Sequence, residues 1–135
     1  MGLAERRAAK EFETTIYPKL KKEIDEIAGF DIPMEVRWDT LMKEDGYHGS
    51  WATGWPKIYF EPLMDALKSI CSDDMGKQAL KESLKKIVIQ DAKDSYSSYW
   101  VSWEKGVVTL DHQYCNVDSI AERSKMLREI LEKNL

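Results

Sequence analysis

Tyr99-Trp100-Val101-Ser102-Trp103-Glu104-Lys105-Gly106-Val107-Val108-Thr109-Leu110-Asp111 is the stretch whose reading decides the fold. Two runs rich in β-branched and aromatic residues flank Glu104-Lys105-Gly106, the pattern of a β-hairpin. Pairing Trp103 with Val108 sets Val101 opposite Leu110 and Ser102 opposite Thr109. One face then gathers Tyr99, Val101, Trp103, Val108 and Leu110, and the other Trp100, Ser102, Glu104, Val107, Thr109 and Asp111. A one-residue slip would mix Ser102 into the apolar row. Because side chains alternate with period 2, burial of one face selects the first register. Such a sheet needs helices over its apolar face, and the rest of the chain supplies them.

Leu3 to Ala28 reads as helix, with Phe12, Ile16, Leu20, Ile24 and Ala28 at four-residue spacing and Ile27 widening the stripe. Pro18 lacks the amide that would bond to Thr14, which predicts a kink or break there. Gly29 stands where a left-handed C-cap belongs. Ile32 to Trp38 alternates as a strand with one wet face, Lys43-Glu44-Asp45-Gly46 is a charged turn, and Tyr47 to Pro56 has no period. Lys57 to Phe60 reads as a short strand, antiparallel to the first. Pro62 opens a helix that buries Leu63, Ala66, Leu67 and Ile70. Ser72-Asp73-Asp74 carries N-cap chemistry for a second helix through Lys85, burying Met75, Ala79, Leu80 and Leu84. Ile87-Val88-Ile89 is a strand, and a polar connection through Asp94 and Ser95 leads into the hairpin. Asn116 or Asp118 caps a last helix whose Ile120, Leu127, Ile130 and Leu131 point inward. The order α-β-β-α-α-β-β-β-α predicts a single α+β domain over residues 1–135. It would have an antiparallel sheet of about four to five strands, with helices mainly on one face.

Composition narrows the function classes. At 135 residues the chain has room for one proper core. Its net charge of −4 mixes both signs along the whole length, so no basic stripe points to nucleic acid. No apolar run nears the roughly 20 residues that span a bilayer. Met1 to Arg7 lacks the apolar core of a secretory signal, and Arg6 stands where myristoylation of Gly2 requires Ser or Thr. Cys71 and Cys115 make no disulfide framework, so a cytoplasmic protein with reduced thiols is expected. Cys71, beside a buried stripe, reads as a small core hydrophobe.

Two regions carry candidate chemistry. The stretch from Tyr47 to Trp55 concentrates aromatics and glycines outside any period: aromatics offer contact area with few rotamers to freeze, and glycine lets backbone approach closely. A recognition loop built on Tyr47, His48, Trp51 and Trp55 is the first reading. The bland alternative folds Trp51 and Trp55 back over an open end of the sheet. Trp100, on the face opposite the hairpin's apolar row, adds a surface patch unless a loop or helix covers it. The second region is Asp111-His112-Gln113-Tyr114-Cys115. With His48 it offers zinc-ligand types, and Cys115 beside His112 is a writable nucleophile and base. Neither has a recognised spacing, and a polar strand end leading into an N-cap accounts for these residues as well.

Glu61 and Asp65, four apart at a helix start, suit the macrodipole without catalysis. Gly46, Gly49 and Gly54 lack the spacing and ending of a phosphate loop. The leading expectation is a small non-enzymatic protein-binding module of inhibitor, immunity or adaptor type, or a self-associating one. It would use Tyr47, His48, Trp51, Trp55 and Trp100, without metal or cofactor, nucleic acid or membrane. The alternative is a small enzyme or ligand pocket around His48, Asp111, His112 and Cys115.

Overall fold

A computed structural model describes residues 2–135, leaving outside it Met1, where the signal reading begins. The predicted first helix runs as α1 (Leu3–Glu11), a π-turn (Phe12–Ile16) and α2 (Tyr17–Ala28). The π-turn answers Pro18. A proline ring crowds the carbonyl four residues back, and widening the turn ahead of it removes that conflict without ending the helix. Tyr17 N–H bonds to Phe12 O, five residues back, and the Thr14 and Thr15 hydroxyls bond to carbonyls of Lys10 and Glu11. Gly29, at φ 81°, caps α2 in the left-handed conformation as expected.

The same device corrects the second strand. Lys57 to Phe60 is helical, part of a run from α4 (Trp51–Trp55) through a π-turn (Pro56–Phe60) into α5 (Glu61–Ile70). Glu61 N–H bonds to Pro56 O immediately ahead of Pro62, as Tyr17 does ahead of Pro18. Two prolines in one helical run obscure its period, and that is why the segment reads as loop and strand. Tyr47 to Trp55 is accordingly no open loop: a 3-10 turn (His48–Ser50) leads directly into α4.

The sheet has four strands, β1 (Met34–Val36), β2 (Lys86–Gln90), β3 (Val101–Glu104) and β4 (Val107–Asp111), in the order β1-β2-β4-β3. The hairpin register holds: Trp103 pairs Val108, Val101 pairs Leu110 and Ser102 pairs Thr109. Lys105 and Gly106 turn it with φ of 50° and 84°, the backbone signs of a type I′ turn. The antiparallel sheet does not hold. β1 pairs β2 in parallel and β2 pairs β4 in parallel, leaving β3–β4 as the antiparallel pair. Strand direction depends on the path of the connections, which alternation does not reveal. The expected strand from Ile32 is also shorter. Arg37 turns out of the extended region, and Trp38 begins a short helix, α3 (Trp38–Leu41).

One face of the sheet presents Met34, Val36, Ile87, Ile89, Val108, Leu110, Val101 and Trp103 to the core. The other carries Glu35, Lys86, Ser102, Glu104 and Thr109. α6 (Asp74–Ser83) is capped by the Asp73 carboxylate, which accepts from Gly76 N–H at 2.8 Å. Met75, expected inside, is exposed, while Leu80 and Leu84 are buried. α7 (Ile120–Asn134) buries Leu127 and Leu131 and packs most extensively on α5. Its N-cap position is Ser119 rather than Asn116 or Asp118.

Candidate functional site

The C-terminal ends of parallel strands are where open α/β sheets place ligands, because the loops leaving them converge there. Here β2 and β4 end on that edge with Gln90 and Asp111, and Arg37 directly follows β1. Arg37 Nη1 donates to Gln90 Oε1 at 2.7 Å, and Gln90 Nε2 donates to Asp111 Oδ2 at 2.8 Å. The other Asp111 oxygen accepts from the backbone amides of Ala92 and Lys93, both at 3.2 Å. Asp111 therefore pins the start of the segment from Asp91 to Trp100, which crosses from β2 over the end of β4 to β3. Gln113 pins its middle, its amide bonding to Ser95 O at 3.0 Å.

His112 lies beneath this crossover and is fully buried. Its Nε2 meets Ser97 Oγ at 3.1 Å, its Nδ1 meets Gln113 O at 2.6 Å, and Trp100 packs edge-on against the ring. Burial holds the imidazole below its ordinary pKa. Tyr59, from the second π-turn, donates its hydroxyl to His112 O, and burial raises its pKa well above the usual phenol value. Arg123 of α7 completes the base. It is fully buried, and its guanidinium donates to Asn116 O at 2.8 Å, Val117 O at 2.9 Å and Lys57 O at 3.1 Å. Residue type alone hides Arg123, because a charged side chain ordinarily marks solvent. Its signal was position: four residues before Leu127, it stands in the buried stripe of α7.

Asp91 sits at the same edge, 3 % exposed, with Oδ1 lacking a hydrogen-bond partner among the described residues. Burial raises its pKa to about 6, Lys43 acting against the shift and Asp94, Asp111 and Asp45 with it.

Tyrosines project from the loops above this base. Tyr47, Tyr96 and Tyr99 are exposed by 52 %, 58 % and 82 %. Tyr114, half-buried, stacks on Tyr47 with ring centroids 5.2 Å apart, and its hydroxyl lies 2.8 Å from Ser50 Oγ. The loops are held by local chemistry. Asp45 accepts from Tyr47 N–H at 3.1 Å in an Asx turn, and Tyr99 N–H bonds to Tyr96 O at 2.9 Å.

The candidate residues thus separate. Tyr47 is on the surface and His48 partly so, whereas Trp51, Trp55 and Trp100 are at most 1 % exposed. Trp51 and Trp55 stack at 4.6 Å, with Phe12 edge-on to Trp55 at 5.1 Å, so both rings lie in the core, packed against the first helix from within α4 rather than laid over an open end of the sheet. The 3-10 turn Ser97–Tyr99 breaks the hairpin's alternation just before β3. As a result Trp100 goes inward and Tyr99 outward, opposite to their expected faces. Asp111, His112 and Cys115 share the polar base, but His48 lies elsewhere, with Nδ1 4.0 Å from Glu5 Oε1 and its ring against Trp51. Both His112 nitrogens are engaged, and burial raises the Cys115 thiol pKa, the reverse of an activated nucleophile. Among the described residues no three His, Cys, Asp or Glu side chains assemble as a metal site. Cys71 is buried and Cys115 half-buried, and neither is bridged. No helix of the described residues is long and apolar enough to cross a membrane.

Compared with known protein families, characterised proteins and solved structures, the chain matches none of them significantly.

Proposed function

We propose that this chain is a cytoplasmic, non-enzymatic protein-binding module that meets its partner with the tyrosine-bearing loops at the C-terminal edge of its parallel strands. The observation that carries this reading is the outward placement of Tyr47, Tyr96 and Tyr99 in the loops at this edge, with Tyr47 stacked on Tyr114 and small polar residues such as Asp45, Gly46, Ser95 and Ser98 beside them. Tyrosine brings a large amphipathic ring with few torsions to freeze, and small polar neighbours adapt their hydrogen bonds to a partner. The loops rest on a buried, hydrogen-bonded base, and such preorganisation lowers the entropy lost on binding. The tryptophans serve as scaffold: Trp51 and Trp55 anchor α4 in the core, and Trp100 points inward where Tyr99 points out. Two unbridged cysteines support a reducing compartment.

The test places a photo-crosslinking residue at Tyr99 or at Met75, which is exposed on α6 and serves as the control. Crosslinks to one defined protein, or to a second copy, should form from position 99 and not from 75. They should weaken at least tenfold when Tyr47 and Tyr96 are changed to Ser. Equal labelling from both positions, or capture indifferent to the serine changes, overturns the reading. Sedimentation at several concentrations separates self-association from a foreign partner.

A further inference from the structure

We propose that the crossover from Asp91 to Trp100 is a proton-controlled strap: with the Asp91 carboxyl protonated it lies closed on the sheet edge, and ionisation of that carboxyl lets it open. The strap has little apolar anchorage of its own. Residues 92–99 contain no aliphatic side chain larger than alanine, Tyr96 and Tyr99 point outward, and Ser97 is the one buried residue between Asp91 and Trp100. Hydrogen bonds from other elements hold it instead. Asp91 N–H donates to Thr40 Oγ1 at 3.1 Å, Lys43 Nζ donates to Asp91 O at 3.0 Å, and Gln113 Nε2 donates to Asp94 O at 3.0 Å. Asp94 itself stands at φ 50°, the left-handed region that an L residue enters at a cost. Segments so poor in buried apolar contacts open locally, at lower free energy than the fold as a whole.

What sets the opening is the side chain at the root of the strap. Asp91 is 3 % exposed, and its Oδ1 is buried without a hydrogen-bond partner among the described residues. Such a site disfavours the carboxylate, whereas an open strap returns it to water. The charged and titratable groups around it are Lys43 and Asp45 from the loop after α3, Asp94 of the strap, Asp111 of β4, Tyr59 of the second π-turn, and Cys115. Lys43 is the cation among them, and the three carboxylates act with burial against a charge on Asp91. The closed strap therefore holds the proton more tightly than the open one. Opening is least favourable at low pH, grows as pH rises from about 4 to about 6, and then levels off. Movement of the pKa from the ordinary 3.8 to about 6 corresponds to an opening constant larger by a factor on the order of 100. Because the strap carries Tyr96 and Tyr99, it makes their display pH-dependent, and only this last consequence rests on the tyrosines being the binding face.

The test is amide hydrogen exchange of the full chain, followed by NMR at about pH 4.5 and 7.5, with each rate divided by its intrinsic value. The Gln113 amide, bonded to Ser95 O at 3.0 Å, reports opening of the strap, and the Ile87 amide, bonded to Pro33 O at 2.9 Å within the sheet, reports the fold. Gln113 should be less protected than Ile87 at both pH values and should lose at least tenfold in protection between them. In Asp91→Asn that loss should fall below twofold. Lys43→Met, which removes the cation facing the carboxyl, should make the loss larger than in wild type, and it decides should Asp91→Asn fail to fold. Protection of Gln113 that is equal to that of Ile87 would show that the strap opens only with the whole fold. That result, a pH-independent Gln113, or a loss retained in Asp91→Asn would each overturn the proposal.

Discussion

The hydroxyl of Tyr114 occupies the space that a side chain on Gly54 would need: a Cβ added there would stand 2.0 Å from Tyr114 Oη and 2.6 Å from Tyr114 Cζ. Gly54 is thus small for the sake of a neighbour inside the same chain. Through Tyr114 it controls the stack with Tyr47 and the hydrogen bond to Ser50.

Gly54→Ala should therefore expel the Tyr114 ring and cost about 1–3 kcal/mol, as overpacking does. Tyr114→Ala made alongside it should recover part of that loss, because the two changes share one clash. Denaturant midpoints of the four members of this cycle measure the coupling. Strictly additive losses would show that the contact is not what excludes alanine. In the crosslinking assay Gly54→Ala should weaken capture as Tyr47→Ser does, without altering an exposed residue.

Trp51→Ala and Trp55→Ala should each destabilise the fold by about 3–5 kcal/mol, as large-to-small changes in a packed core do. The stacked pair fills the space between the first helix and α4, with Trp38 and Phe12 against it. Equilibrium denaturation checks this directly. Losses below about 1 kcal/mol would place both rings outside the core and return them to the candidate surface.

How much of this was legible in the sequence follows from which interactions are local. The hairpin register was readable because two adjacent runs determine each other's faces through period 2. The Gly29 cap and the Asp73 N-cap were readable because one residue's backbone or side chain suffices. Strand direction was not, because β1, β2 and β4 are joined through connections whose path depends on packing. The two π-turns shift the phase of their helices beside Pro18 and Pro62, and in the second the period was lost to view. Among the tyrosines of the proposed surface, Tyr47 stands out by composition. Tyr96, Tyr99 and Tyr114 do not, because their common edge exists only once the crossover from β2 to β3 is in place. Arg123 ran against the usual link between charge and solvent, and only its place in the α7 stripe disclosed it.

Arg123→Ala should cost about 3–5 kcal/mol, and Arg123→Lys about 1–3 kcal/mol. The guanidinium satisfies carbonyls from Lys57, Asn116 and Val117 at once, and their desolvation goes uncompensated when it is removed. An ammonium carries its three donors on a single nitrogen and lacks the planar fork that reaches all three carbonyls. Thermal melts of the two variants give the order. Lysine performing as arginine does would mean that charge, rather than geometry, holds this base together.

Asp91 predicts how stability changes with pH. Burial raises its folded pKa from the ordinary 3.8 to about 6. The folded state therefore binds the proton more tightly than the unfolded chain. Between about pH 4 and pH 6 the native carboxyl is largely protonated while the unfolded one ionises. Its contribution to stability consequently falls as pH rises through that window, and above it the buried carboxylate is a constant penalty. Asp91→Asn keeps the shape and removes the charge. It should stabilise the protein by about 1–3 kcal/mol at pH 7.5, with the advantage shrinking toward zero near pH 4. Lys43, which faces Asp91 and donates to its backbone carbonyl at 3.0 Å, moderates the penalty, so Lys43→Met should enlarge the gain from Asp91→Asn. Denaturant midpoints for wild type and variants at pH 4, 5, 6 and 7.5 supply the comparison. Taking differences cancels the acid sensitivity of the other carboxylates. A difference between wild type and Asp91→Asn that stays flat across the four pH values would show that Asp91 titrates alike in the folded and unfolded chains.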